Sequence, residues 1–158
     1  MALQGEILVT DSDGSVIQGT RENNSCFIHE FKFAVNKPNE VAGNMHFGIR
    51  RVEVFWVVKD IDRLTPSLLE ALVQNKELQQ VKITLYRIGI EIGEPEPYFE
   101  YLLKGARIVS LENWMPPVYD PETVVIGNME KVGIVAREIE MTDLIHSMMT
   151  IVPTYGVE

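Results

Sequence analysis

Apolar and polar residues alternate with a period of two along most of this chain, and that alternation commits it to half-buried β-strands. Glu6 to Thr10 and Ser15 to Ile17 flank Asp11-Ser12-Asp13-Gly14, and Asp-Gly between two apolar runs predicts a hairpin. From Cys26 to Val35 the alternation predicts a strand with Phe27, Phe31, Phe33 and Val35 on one face, His29 as the odd member, and Glu30 and Lys32 opposite. Residues 51–59, rich in Val, Phe and Trp, and the segments 80–88, 97–104, 107–115 and 129–142 also read as strands. Residues 89–96 form a hairpin-type connection, and Met115-Pro116-Pro117 ends a strand because two prolines cannot continue a ladder.

Two stretches break the pattern. Residues 36–50, rich in Asn, Gly and Pro, are long for a connection inside a compact domain, and such loops are commonly engaged with a partner. Residues 65–75 predict the single helix: Thr65 can cap it, Pro66 suits its first turn, Leu68, Leu69, Leu72 and Val73 make one stripe, and Asn75 is a stop. In the tail, 143–158, Leu144, Ile145, Met148, Met149 and Val152 suit a short helix and a continued strand equally.

So many half-apolar strands must close on themselves or pack face to face. The expected fold is mostly β, a single β-barrel or two-sheet sandwich of about seven to nine antiparallel strands with one α-helix. The 158 residues suit one domain, 1–158, able to bury most of its apolar surface without disulfides or metals. Cys26 is the only cysteine, so no intrachain disulfide can form. Formal charge is −9, from 14 basic and 23 acidic residues, and Arg50-Arg51 is the only basic cluster. That balance argues against nucleic-acid and anionic-membrane partners. The apolar stretch 52–58 is interrupted by Glu53 and too short to span a bilayer. The first residues do not read as a standard signal peptide, so cytoplasmic synthesis is expected, with export open to a machine that reads no such signal.

Catalysis finds no foothold. His29, His46 and His146 stand apart, with no second His or Cys at metal-ligand spacing, so neither metal nor cofactor is expected. Cys26 and His29, three apart on a strand, point to opposite faces and cannot act as nucleophile and base. Asp11 to Glu22 begins like a calcium loop, but Val16 occupies the place where such a loop turns on Gly. Glu94/Glu96 and Glu138/Glu140 suit solvated strand faces. The aromatic set Phe55, Trp56, Tyr98, Phe99, Tyr101 and Trp114 suits packing and subunit contact better than a sugar platform.

At Lys59-Asp60-Ile61-Asp62-Arg63-Leu64-Thr65-Pro66-Ser67-Leu68-Leu69 the chain resembles the haemolysin-coregulated proteins (Hcp), inner-tube subunits of bacterial type VI secretion systems. The order continues in Lys82 to Arg87, in Tyr98 to Leu111, in Asp120-Pro121, in Asn128 to Val132 and in Arg137 to Thr142. Asn128 and Met141 depart from the family's usual His and aromatic, and the apolar tail from its usual polar end.

The resemblance implies an Hcp-like barrel, not an enzyme, that closes into homo-hexameric rings. The rings stack into a tube, work with spike, sheath and baseplate proteins, carry small effectors in the lumen, and leave the cell. A ring needs two different surfaces on each subunit. The expected interface set is Asn36, Lys37, Asn39, Glu40, Asn44, Met45, His46, Phe47, Arg50 and Arg51 on the loop, with Met148 and Met149 on the tail. The alternatives are a tail-tube protein of a phage-like contractile particle and a monomeric barrel that binds a small ligand or glycan.

Overall fold

In the computed structural model the described residues are 4–37, 50–90, 93–117, 119 and 127–154. They form ten strands and one helix in the order β1 (Gln4–Thr10), β2 (Cys26–Lys32), β3 (Val35–Asn36), β4 (Arg51–Val52), β5 (Phe55–Asp60), α1 (Thr65–Val73), β6 (Leu78–Ile88), β7 (Pro95–Trp114), β8 (Met129–Val135), β9 (Glu138–Asp143) and β10 (Met148–Pro153). Eight of them make one antiparallel sheet, ordered β10-β9-β7-β6-β1-β2-β5-β8. A further pairing of β8 with β7 closes six of these strands into a barrel, and β9 and β10 extend it as a flap. The two-residue strands β3 and β4 pair separately.

The barrel closes because β7 serves two partners along its length. Its residues 99–104 pair with β9, and its residues 107–114 pair with β8. The changeover is at Gly105, whose φ of +59° favours glycine. A Cβ there would sit 2.9 Å from both Arg137 Cδ and Glu77 Oε1. At the same point Arg137 N–H reaches Lys104 O at 3.0 Å and Gly105 O at 3.3 Å, which separates β8 from β9. The runs expected as two strands, 97–104 and 107–115, are therefore one, whereas 129–142 is two.

Alternation places Ile7, Val9, Phe55, Val57, Val81, Ile83, Leu103, Val132 and Ile134 in the interior, each no more than 1% exposed. In β2 the face is inverted part-way. A bulge between Ile28 and Glu30 leaves Cys26 and Ile28 inside while Phe27 stands 45% exposed. One extra residue flips every side chain beyond it. Phe31 and Phe33 are inside as expected, but Phe27 and Val35 are not on their face; Phe27 instead lies under Arg21, 4.3 Å from ring centre to guanidinium. Phe31, Phe33, Phe55 and Tyr101 form a ring cluster with centroids 5.3–5.9 Å apart.

Helix α1 packs on β7 through Leu68 and Ala71, with Leu64 beside them in the core. Leu69 (46% exposed) and Val73 (76%) face away, so the expected stripe is narrower and rotated. Thr65 does not cap the helix; Asp62 Oδ1 accepts the Leu64 N–H at 2.9 Å instead. Asn75 does end it, at φ +50°, with Asn75 N–H bonded to Leu72 O and Lys76 N–H to Ala71 O. The Asp11–Gly14 turn forms, but its return arm makes one bridge, Thr10 to Val16, and no strand. The tail resolves the open choice in favour of a strand: Asp143 turns the chain by accepting the Ile145 and His146 N–H groups, and β10 runs back along β9.

Candidate functional site

The expected interface residues divide into two groups. Asn39, Glu40, Asn44, Met45, His46 and Phe47 lie outside the described residues. Of the rest, Asn36 and Arg51 are exposed and face each other across the β3–β4 pair, with exposed Lys37 beside them. Arg50 reaches across the sequence to donate from Nη2 to Pro153 O at 2.7 Å. That bond joins the foot of the 36–50 loop to the end of β10. Met148 (70% exposed) and Met149 (57%) start the same strand. The foot of the loop and the end of β10, expected to serve two separate surfaces, thus meet at one corner.

The flap carries much of the chain's exposed apolar surface. Leu144, Ile145, Met148, Met149 and Ile151 are between 37% and 70% exposed, and every residue of β10 is at least partly exposed. Contiguous exposed apolar surface is where proteins commonly make contacts. The flap is held firmly at its far end, where Thr154 Oγ1 bonds to Ala136 O, and to Arg137 O at 2.7 Å.

Two buried polar networks, unforeseen from the sequence, hold the barrel that presents these surfaces. Lys59 and Glu130 sit directly opposite each other on β5 and β8, both fully buried. Lys59 Nζ lies 2.6 Å from Glu130 Oε2 and 2.8 Å from Asp62 Oδ1, and also donates to Asp60 O at 3.0 Å. Thr65 Oγ1 donates to Glu130 Oε2 at 2.8 Å and accepts the Asp62 N–H at 3.1 Å. The helix start, the turn before it and two strands are thereby tied to one ammonium. In the second network Glu6 accepts from Tyr86 OH at 2.5 Å, from Ser25 Oγ at 2.9 Å and from Arg21. Burial, then the hydrogen bond to the Glu6 carboxylate, pushes the Tyr86 hydroxyl up to about 12. The sequence signal was present: a Lys at the end of an apolar strand followed by Asp and Thr, and a Glu inside an apolar one.

The remaining candidates find ordinary places. Cys26 is fully buried, and burial pushes its thiol up, away from nucleophile chemistry. His29 is exposed beside Asp60 at 3.0 Å and His146 beside Asp143 at 2.8 Å. Glu96 pairs with Arg87 and Glu140 with Lys104. Among the described residues no group of three or more His, Cys, Asp or Glu could hold a metal. No helix of the described residues is long and apolar enough to cross a membrane. A groove of about 350 Å³ on the outer face of β2, β5, β8 and β7 is walled by Trp56 and Trp114 with Glu30, Lys32 and Lys131. Trp56 lies flat across Gly133, where a Cβ would come within 2.8 Å of the indole, and Lys131 Nζ is 4.6 Å from its ring centre.

This closed six-stranded barrel with a side helix and a terminal flap has clear relatives. Residues 3–142 match the family described as "Type VI secretion system effector, Hcp". The chain belongs to the Hcp family. It is 28% identical over 132 residues to the "Major exported protein" of Pseudomonas aeruginosa, an overlap of 84% of this chain and 76% of that one. Hcp1 of E. coli EAEC 042 superposes with a TM-score of 0.86 at 18% identity, over 98% of this chain and 100% of the other. The secreted protein Hcp3 of Pseudomonas aeruginosa gives 0.78 at 19% identity, over 98% and 100%. The Hcp fold therefore extends past residue 142, where the family match ends, into β10.

Proposed function

We propose that this Hcp chain is a structural subunit of the type VI secretion inner tube. Its 1–158 span acts as one unit that closes into hexameric rings. The rings stack with the help of spike, sheath and baseplate proteins, admit small effectors to the lumen, and are exported from the cytoplasm by the machine itself. The observation that carries the reading is the Hcp family match over residues 3–142, on a barrel that exposes the apolar side chains of its terminal hairpin. Nothing in the described site offers catalytic chemistry. Lys59, Glu6 and Tyr86 are engaged in structural bonds, and Cys26 is buried.

Six copies would carry a formal charge of −54, six times −9, so their contacts need locally neutral or complementary surfaces and should respond to salt. The uncharged 144–154 stretch and the Arg50-Arg51 corner supply such surfaces. Native mass in solution at two salt concentrations tests the reading. A mass near six subunits is expected, and removal of residues 38–49 should leave a folded monomer. A wild-type chain that stays monomeric at high concentration at both salts refutes it. The Trp56–Trp114 groove favours one second reading, a barrel that binds an aromatic or glycan ligand. That reading expects a monomer whose tryptophan fluorescence responds to such a ligand.

A further inference from the structure

Among the described residues strand β10 ends its sheet and pairs on one side only, with β9. The bonds at the two ends of the hairpin reveal which main-chain groups are left over. Leu144 N–H bonds to Tyr98 O at 3.0 Å, so the even-numbered residues of β9 bond toward β7 and the odd-numbered ones toward β10. Thr154 N–H bonds to Arg137 O at 2.9 Å, in the same alternation. Met148, Thr150 and Val152 therefore exchange bonds with β9, while the main-chain groups of Met149, Ile151 and Pro153 point outward. Pro153 has no N–H, and its carbonyl takes the Arg50 guanidinium. What remains is a short, bounded edge: the N–H and C=O of Met149 and of Ile151, without partners among the described residues.

We propose that this edge accepts an extended segment from a second copy of the chain, so that the sheet continues across the subunit boundary. The inference rests on the assembly reading above. An edge of this kind is a template for strand addition unless a charge, a proline or a bulge blocks it. Here none does: residues 144–154 hold no Asp, Glu, Lys or Arg, and Pro153 sits only at the end. Two molecules of charge −9 repel over most of their surface, and this neutral stretch is where two copies can approach without that penalty. Exposed side chains flank the edge on both faces, Met149 (57%) and Ile151 (44%) on one and Met148 (70%) on the other, ready to be covered as the backbone pairs. Arg50, at the foot of the loop expected to cross to a neighbour, closes the edge where that loop departs, so both contacts belong to one corner.

Residue-resolved amide hydrogen exchange on the wild-type protein, concentrated and diluted, tests the inference. In the assembled sample the Met149 and Ile151 amides should exchange at least about tenfold more slowly than in the diluted one. Thr150, bonded to β9 in either case, should change little and is the internal control. Ile151→Pro, which removes an outward N–H, should weaken assembly by about tenfold or more, whereas Ile151→Thr, which keeps it, should not. If the proline variant fails to fold, exchange on the wild type still decides. Rings in which Met149 and Ile151 exchange as freely as in the diluted sample overturn the edge pairing and leave the ring standing. A chain that is monomeric at every concentration overturns the ring reading, and the edge pairing with it.

Discussion

Lys59→Met should be among the most damaging single substitutions in this protein. The ammonium is fully buried and lies 2.6 Å from Glu130 Oε2 and 2.8 Å from Asp62 Oδ1. Methionine fills a similar volume, so little is lost in packing, but two carboxylates are left without their cation, one of them fully buried. Breaking a buried pair from one side typically costs about 3–5 kcal/mol, because the remaining charge keeps its desolvation penalty. With a urea slope of about 2 kcal/mol/M, the unfolding midpoint should fall by about 2 M. Trp56 and Trp114, on β5 and β7, report the transition by fluorescence at fixed protein concentration, since assembly would add to apparent stability. Glu130→Leu should cost less, because Lys59 keeps Asp62 and the Asp60 carbonyl. The double variant should then be less harmful than the two losses added, by about 2 kcal/mol. Additivity to within about 0.5 kcal/mol would refute the claim that these groups act as one buried network.

Two further outcomes are expected. Tyr86 ionises near pH 10 when unfolded and at about 12 when folded, so its protonated form favours the native state. That contribution is intact below pH 10 and is lost as pH rises from 10 to 12; Tyr86→Phe should remove this part of the alkaline instability, followed by ultraviolet absorbance and circular dichroism. On α1, Leu68→Ala opens the core and should lower stability by about 3 kcal/mol, about 6–12 °C in Tm. Val73→Ala, at a position 76% exposed, should change it by no more than about 0.5 kcal/mol, and equal losses at the two positions would contradict the observed helix face.

The placement of the expected contact residues was legible only in part. Met148 and Met149 stood out because a neutral apolar run at the end of an acidic chain needs a partner or a core. Arg50 stood out only as half of a basic pair. Its bond to Pro153, 103 residues away, has no local signature, because side chain to carbonyl contacts of that range follow from the fold alone. The Lys59 half of the buried pair had a local signal in the Asp and Thr that follow it, but its pairing with Glu130 was hidden for the same reason. Each residue alone reads as a polar position at a strand end, and only the β5–β8 register makes them opposite.

Period-two alternation by itself determined that this chain is a closed or layered β-structure with one helix, because strands that are apolar on one face must bury it. The Lys59–Leu69 run and the segments after it determined the family. What the sequence could not decide turned on single residues of backbone geometry. The bulge after Ile28 moved Phe27 outside, Gly105 let β7 change partners, and the turn at Asp143 sent the tail back as a strand. Alternation has the same period before and after such a point, so no local pattern records a change of face or partner. That information exists only in the pairing of strands far apart in the chain, where the free edge of β10 is also defined.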